Sequence, residues 1–239
     1  MPAKKAASLS ILSIDIGGSH IKGTILDHKG KMLQQYTKVK TPVPASPDNV
    51  IKAISVLISG FDPYTHVSVG FPGYVREGVI WTAPNLGTGL WAGIPFSKML
   101  EKTLKKPVRV VNDADMQGLG IVKGKGLEAL ITLGTGMGFA LLHNGHLLPH
   151  LELSHHPITG KKDYDQYIGE AALKKIGPEA WNERMLKVLR VLKTVINYDR
   201  LYIGGGNAGD LTMPLDKNIK RVSNRDGIKG GARLWTSQP

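Results

Sequence analysis

The sequence contains no cysteine among its 239 residues. Without a thiol the chain forms neither a disulfide nor a thiolate zinc site, which fits a reducing compartment. Aromatic residues make up only 6% of the chain, and no uninterrupted apolar run approaches the length that spans a bilayer. We therefore expect a soluble, unsecreted protein with a cytoplasmic location and no membrane partner.

Carboxylates are scarce relative to basic side chains, with 19 Asp and Glu against 31 Lys and Arg, which gives a net charge of +12. This excess indicates a polyanionic partner such as nucleic acid, an anionic membrane or polyphosphate, although high charge alone also aids solubility. No basic motif interleaved with aromatics and no recognition helix is evident, which disfavours nucleic acid. The length allows one large domain or two small ones.

The most informative stretch is an apolar run that breaks into a glycine turn and then resumes. Residues 10–16 predict a buried strand with one ionisable group, Asp15, close to its end. Gly17 and Gly18 lack a Cβ and allow close approach of an anion, with the Ser19 hydroxyl beside them. A carboxylate next to phosphate suggests Mg²⁺ between them. An ordinary hairpin turn is the alternative.

The same plan of strand, glycine turn, strand, tight turn and strand occurs twice. The first copy covers residues 10–39, with its third strand predicted over 32–39. The second begins at 127–133 and has Gly134, Thr135 and Gly136 in its turn. Two such copies, each followed by helical segments, predict a duplicated α/β fold whose two turns face one another and grip phosphate.

Polar residues follow several of the other predicted strands and turns. Asp113 and Asn112 come directly after the strand 108–111, where Asp113 could accept a hydroxyl proton and Asn112 could orient that hydroxyl. The alternative is an Asx cap on the next helix, made by Asp113 or Asp115. Asn85 could bind a polyol or bond its own turn backbone.

Further motifs lie in the second half of the chain. Glu152 and His155 suit sugar hydroxyls, and a structural zinc site is disfavoured because cysteine is absent. A third glycine loop, 204–208, follows the strand 201–203 and suits close approach of a nucleotide. Ser46 and Pro47 predict the start of a helix that ends near residue 60. The glycine-rich segment 226–232 predicts tight packing against another element.

In order and spacing, these motifs resemble those of the ROK family of sugar kinases, and in particular its polyphosphate-dependent branch. The resemblance covers about residues 10–234 and rests on five motifs: Asp15-Ile16-Gly17-Gly18-Ser19, Asn112-Asp113-Ala114-Asp115, Leu133-Gly134-Thr135-Gly136, Glu152-Leu153-Ser154-His155 and Ile203-Gly204-Gly205-Gly206. It implies an α/β, actin-like ATPase (ribonuclease H-like) fold with two duplicated domains, 1–113 and 114–239, and a central cleft. The last helix is expected to pack back on the first domain.

The resemblance also implies an activity, namely transfer of a phosphoryl group from polyphosphate, ATP or both to the 6-hydroxyl of glucose or a related hexose. It implies Mg²⁺, no structural zinc and a homodimer. The alternatives are a strictly ATP-dependent hexose kinase and a catalytically silent sugar sensor of the ROK type. An intact Asp113 disfavours the sensor.

Site roles follow from the motif positions that match. Asp113 corresponds to the catalytic base, and the expected sugar ligands are Asn85, Asn112, Asp113, Glu152 and His155. The expected phosphate and nucleotide ligands are Asp15, Gly17, Gly18, Ser19, Lys22, Gly134, Thr135, Gly136, Gly205 and Gly206. Asp15 is also expected to hold Mg²⁺ through water. Ser154 replaces the family's usual glycine before the histidine, which puts the choice of sugar in question.

Basic residues outside these motifs suggest a track for a polyphosphate donor. The track comprises Lys102, Lys105, Lys106, Lys123, Lys125, a helical stripe of Arg184, Lys187, Arg190 and Lys193, and Lys217, Lys220, Arg221 and Arg225. Such a stripe is otherwise typical of a solvated helix face.

Overall fold

The computed structural model of the chain describes residues 9–223 and 227–236, so Arg225 of the predicted basic track lies outside the described residues. The chain separates into two compact units. One contains the residues up to 116 and those from 228 onward, and the other contains residues 117–227. The domain limits expected from the resemblance stay a prediction. Across the described ranges, no helix combines the length and the apolar character needed to cross a membrane.

The first unit is built on a five-stranded sheet of order β3-β2-β1-β4-β7. Its strands are β1 (Ser10–Ile16), β2 (His20–Asp27), β3 (Thr37–Lys40), β4 (His66–Phe71), the short β5 (Val75–Arg76) and β6 (Val79–Ile80), and β7 (Val108–Asn112). Its helices are α1 (Pro47–Leu57), α2 (Thr88–Trp91), α3 (Phe96–Leu104), the first residues of α4 (Asp113–Ile121), and the last helix, α7 (Gly230–Thr236). Strands β3, β2 and β1 are antiparallel, and β1, β4 and β7 are parallel.

One face of this sheet carries the main hydrophobic core of the unit. Leu12, Ile14 and Ile16 alternate along β1 and are fully buried against a cluster that includes Ile54 of α1. The Ser46 hydroxyl accepts the Asn49 N–H, with Pro47 in the first turn of α1, so the predicted helix start is confirmed.

The opposite face of the sheet is covered in part by α7. The Ser13 hydroxyl donates to the Ile228 carbonyl at 2.9 Å, and the Ser68 hydroxyl donates to the Gly231 carbonyl at 2.6 Å. A Cβ at Gly231 would lie 2.2 Å from Ser13 Oγ, so this position requires glycine. The predicted tight packing of the glycine-rich tail is therefore observed from residue 227 onward.

The second unit repeats the plan of the first, with a sheet of order β10-β9-β8-β13-β14. Its strands are β8 (Leu127–Leu133), β9 (Met137–His143), β10 (His146–Leu147), the small pair β11 (Pro157–Thr159) and β12 (Lys162–Asp163), β13 (Arg200–Gly204) and β14 (Ile219–Arg221). The helices are α5 (Tyr164–Ile168) and α6 (Glu170–Ile196), with a kink at Gly177 in α6. Each sheet combines an antiparallel meander with parallel strands, which confirms the predicted duplication.

The predicted third strand of the first meander is shorter than expected. It begins at Thr37, and Met32 makes only an isolated bridge to Leu26. Between these points the Gln34 carbonyl accepts a hydrogen bond from the Thr24 hydroxyl at 2.7 Å. Side-chain bonding of this kind competes with the strand ladder, so the alternating sequence pattern overestimated the strand.

A fully buried carboxylate, that of Glu128, organises the start of β8. It accepts the backbone N–H groups of Lys123, Gly124 and Lys125 at 2.6–3.1 Å and the Tyr202 hydroxyl at 2.8 Å. Burial acts to raise the pKa of Glu128, but these four donors hold the pKa below its usual range. The ionised side chain therefore fixes the loop between α4 and β8.

We expect Glu128→Gln to lower the free energy of unfolding at pH 7 by about 1–3 kcal/mol, because an amide cannot accept all four donors. The pKa is lower in the folded chain than in the unfolded one. The stabilisation is thus present at neutral pH and is lost as pH falls through the folded-state pKa. Urea unfolding across a pH series should show the difference from wild type shrinking toward acid. Exposed Glu179→Gln is the matched control, and equal stability of both variants would contradict this role.

Candidate active site

The turn between β1 and β2 is held in a fixed shape by the residues around it. The Gly17 N–H donates to the His20 carbonyl at 3.0 Å. Thr41, which directly follows β3, makes two hydrogen bonds to the turn. Its hydroxyl donates to the Gly17 carbonyl at 2.6 Å, and its N–H donates to the Ser19 carbonyl at 3.0 Å. Gly18 and Ser19 are exposed. A preformed and accessible glycine turn of this kind suits an anion.

Asp15 and Lys22 lie opposite each other on β1 and β2, beside this turn. Their side chains form an ion pair with 3.4 Å between Lys22 Nζ and Asp15 Oδ2. Burial raises the pKa of Asp15, and the Lys22 ammonium acts against that rise. Burial acts to lower the pKa of Lys22, but Asp15 and the Tyr36 hydroxyl raise it overall. Lys22 therefore remains a fixed cation next to the turn.

Asp113 lies at the N-terminus of α4, on the same face of the sheet as Asp15. In the register of β1 and β4, Asp15 is paired with Gly70. A Cβ at Gly70 would lie 2.8 Å from the Met116 Cε and 3.3 Å from the Asp113 Cα, so the absence of a side chain lets the start of α4 pack directly against β4 beside Asp15. Asp113 Oδ1 also accepts the N–H of Ala114 at 2.8 Å.

Asn112 contributes to the cap of α4 together with Asp113, since both side chains accept the Ala114 N–H at 2.8 Å. Asn112 Oδ1 accepts the N–H groups of Ala114 at 2.8 Å and Asp115 at 3.4 Å, while its Nδ2 donates to the Gly73 carbonyl at 3.1 Å. The carboxamide has the short reach and the acceptor that a cap requires. Contact of Asn112 with a sugar stays a prediction.

Asn85 lies in an exposed turn of the first unit, next to the glycine turn. The Cβ of Asn85 is 3.4 Å from the position that a Cβ on Gly18 would occupy. Within the residues that the structure describes, its side chain makes no hydrogen bond to its own turn. The alternative, in which the Asn85 side chain bonds its own turn backbone, is therefore not observed. Contact of Asn85 with a sugar stays a prediction.

In the second unit, the structure brings two predicted glycine loops together. The Asn207 side-chain amide donates to the Gly134 carbonyl at 3.3 Å, and the N–H of Glu170 in α6 donates to the same carbonyl at 2.8 Å. Thr135 is exposed at the tip of this loop. The loops of Gly134–Gly136 and Gly204–Gly206 thus form one backbone-lined surface, as nucleotide or phosphate binding requires.

Glu152 and His155 also lie close together in this unit. The distance from His155 Nε2 to Glu152 Oε2 is 3.9 Å, and about half of the His155 side chain is exposed. His150 Nε2 lies 3.5 Å from the other Glu152 oxygen, and only 7% of the His150 side chain is exposed. His150 was missed by sequence analysis, although a histidine two residues before Glu152 could have drawn attention to it. A histidine thus lies near each oxygen of the Glu152 carboxylate.

Asp165 is a second residue that sequence analysis missed. Its Oδ1 accepts the Met137 N–H at 2.7 Å, and a Cβ on Gly136 would lie 2.4 Å from the same oxygen. Burial raises the pKa of Asp165; the Met137 N–H and His155 act against that rise, and Glu152 adds to it. Asp165 thus holds the backbone where the glycine loop runs into β9. The sequence offered no sign of this, since an acid in a first helical turn is ordinary.

The resemblance to sugar kinases implies Mg²⁺, and Asp15 is the carboxylate predicted to hold it. Throughout residues 9–223 and 227–236, no cluster of three or more His, Asp or Glu side chains could hold a metal by itself. Mg²⁺ commonly keeps several waters and binds through one or two carboxylates plus substrate phosphates. Asp15 beside the glycine turn fits that requirement for an ion delivered with the phosphate donor.

The close contact at Gly205 gives a test of how the two loops fit together. Gly205 has a φ of 92°, and a Cβ there would lie 2.1 Å from the Leu133 carbonyl oxygen. We expect Gly205→Ala to lower the free energy of unfolding by at least about 2 kcal/mol. Gly209→Ala, where nothing lies within 4 Å, is the control and should change stability by under about 1 kcal/mol. Thermal denaturation measures both; an equally stable Gly205→Ala would contradict the packing.

Comparison with known proteins identifies the family of the chain. The ROK family model matches residues 11–151. The chain is 34% identical over 235 residues to the polyphosphate glucokinase of Mycobacterium tuberculosis (strain ATCC 25618 / H37Rv), covering 92% of this chain and 88% of that relative. It is also similar to the crystal structure of inorganic polyphosphate/ATP-glucomannokinase from Arthrobacter sp. strain KM, with 30% identity, a TM-score of 0.85 and coverage of 97% of this chain and 100% of the other.

A third comparison concerns the fold alone. The ROK family glucokinase from Streptomyces griseus, solved with glucose and AMPPNP, is 20% identical, with a TM-score of 0.76 over 96% of this chain and all of that one. These similarities confirm the predicted α/β fold of the actin-like ATPase type. With a family match over more than half its length and a relative 34% identical across nearly all of it, the chain belongs to the ROK family.

Proposed function

We propose that this chain is a kinase that transfers a phosphoryl group from inorganic polyphosphate or ATP to the 6-hydroxyl of glucose. The relatives that cover most of the chain are named for this chemistry. The observation that carries the proposal is the position of Asp113, at the carboxyl end of β7 and across Gly70 from Asp15. Ligands of parallel α/β sheets gather at this end of the strands.

Asp113 is the proposed general base of the reaction. Phosphoryl transfer needs a group that accepts the proton of the attacking hydroxyl, and otherwise depends on positioning and neutralisation of charge. Asn112 also accepts N–H groups of the first turn of α4, so capping of this helix does not depend on Asp113 alone. Its place on the first helical turn fixes its backbone, which favours a constant approach to the hydroxyl.

The other predicted residues receive roles in binding. Glu152 and His155 are proposed to hold sugar hydroxyls, since a carboxylate and an imidazole offer both acceptors and a donor. The proposed phosphate ligands are the two glycine turns and Lys22. Mg²⁺ held through Asp15 would neutralise charge on the transferring phosphoryl group. A homodimer, a cytoplasmic location and the use of hexoses besides glucose stay predictions.

Replacing the proposed base tests the mechanism directly. We expect Asp113→Asn to lower kcat by roughly 10²-fold or more, because an amide cannot accept the proton, while the affinity for glucose is retained. Steady-state kinetics and glucose titration by calorimetry measure the two effects. Asp62→Asn, which removes an exposed carboxylate of the same unit, should behave like wild type. Wild-type turnover in Asp113→Asn would remove Asp113 from the mechanism.

The donor is tested by an assay of glucose and Mg²⁺ with polyphosphate or ATP, scored for sugar phosphate. We expect transfer from polyphosphate and ATP, with polyphosphate use falling steeply as salt rises, because a polyanion releases counterions on binding. Transfer from ATP alone would favour the strictly ATP-dependent alternative. No transfer from either donor, with glucose still bound, would favour the silent sugar sensor.

A further inference from the structure

One face of the first antiparallel meander carries an unusual concentration of basic side chains. In the strand register, Asp15 lies opposite Lys22, and Lys22 lies opposite Lys38. In the adjacent pair of β2 and β3, His20 lies opposite Lys40. Directly opposed residues project from the same face of a sheet. His20, Lys22, Lys38 and Lys40 therefore form one continuous surface, here called the lysine face.

The basic groups of the lysine face are available to a ligand. Lys38 and Lys40 are exposed, and neither is ion-paired with a carboxylate anywhere in the described ranges. Lys22 is shared between Asp15 and the Tyr36 hydroxyl, with 37% of its side chain exposed. Among the three opposed pairs named above (Asp15 with Lys22, Lys22 with Lys38, and His20 with Lys40), Asp15 is the single carboxylate. The surface thus has a strong excess of positive charge.

The basic stripe predicted on α6 is a weaker candidate for binding a polyanion. Lys193 is paired with Asp216 at 2.8 Å. The Arg184 guanidinium donates to the Tyr167 carbonyl and lies 4.8 Å from the centre of the Tyr167 ring.

The predicted track also includes Lys123 and Lys125, which lie at the opposite end of β8 from the Gly134 loop. Lys123 and Lys125 precede this strand, whereas the loop follows it. The seven residues of that strand separate the two ends by roughly 20 Å.

The lysine face, by contrast, leads directly to the proposed base. The row of Lys38, Lys22 and Asp15 continues across the sheet to Gly70, and the Asp113 Cα lies 3.3 Å from the position that a Cβ on Gly70 would take. Neighbouring strands are about 4.7–4.9 Å apart, so the row from β3 to β4 spans roughly 14–15 Å. A linear anion whose terminal phosphate lies near Asp113 can extend over Lys22 to Lys38.

We propose that the lysine face binds the distal phosphates of an inorganic polyphosphate donor. This inference rests on the proposed function. The lysine face would bind the part of a polyphosphate that extends beyond the transferred phosphate, and ATP, with its three phosphates and its nucleoside, does not need this surface. The interaction is electrostatic and independent of any base or sugar. Its energy therefore depends strongly on salt, as for other linear polyanions.

The double variant Lys38→Gln/Lys40→Gln tests the proposal. We expect the KM for long-chain polyphosphate to rise roughly 10-fold, since phosphate-contacting lysines act mainly on affinity. The KM for ATP and the kcat with ATP should not change. The slope of log KM for polyphosphate against log salt should become shallower by about 1.4, or about 0.7 for each lysine removed.

The matched control is Lys52→Gln/Lys98→Gln, which removes the same charge from exposed positions on α1 and α3. Both helices contribute to the core on the opposite face of the sheet, so polyphosphate kinetics should stay close to wild type. A melting temperature within about 2 °C of wild type for each double variant shows that the fold is intact.

The possible outcomes separate this inference from the proposed function. If the wild-type chain transfers phosphate from ATP but not from polyphosphate, the proposed donor is wrong. If the wild type uses polyphosphate and Lys38→Gln/Lys40→Gln retains its KM and salt slope, the lysine face is not the donor surface. Equal losses with polyphosphate and ATP, or an equal effect of the control pair, would also overturn the assignment.

Discussion

Close approach of neighbouring atoms to glycine backbone is the constraint on which both units depend. A single methyl group would overlap the Leu133 carbonyl oxygen at Gly205 and the Ser13 hydroxyl at Gly231, and at Gly70 it would lie 2.8 Å from the Met116 Cε. Phosphate chemistry needs N–H groups and charged side chains within reach of the same anion, which side chains larger than hydrogen would obstruct. The glycines therefore determine how the sheets pack against their neighbours.

Local signals in the sequence predicted much of this architecture. Strand β8 occupies the predicted residues, the Ser46 cap starts α1, and the repeated glycine turns indicated the duplication. Each of these features depends on residues that are close in sequence. Alternation, capping and turn chemistry act over that range, so pattern alone suffices to identify them.

What the sequence did not reveal depends on contacts between distant residues. Asn112 joins Asp113 in capping α4, and its amide also donates to Gly73, which is 39 positions away. Asp165 became part of the site through Met137, which is 28 positions away. Strand β3 was overestimated because the Thr24 hydroxyl draws the Gln34 carbonyl out of the ladder. Tertiary hydrogen bonds determine these caps, contacts and strand limits, and local sequence propensity contains no information about them.

The return of α7 to the first sheet has a consequence for how the protein is made. Ser13 and Ser68 receive their partners from residues 228 and 231, which leave the ribosome after all of residues 117–227. The second unit is contiguous and can fold as soon as it emerges. One face of the first sheet stays incompletely covered until residues 228–232 have been made, so a chain that stops before residue 228 would expose its buried serines and the apolar surface around Ile11 and Leu26.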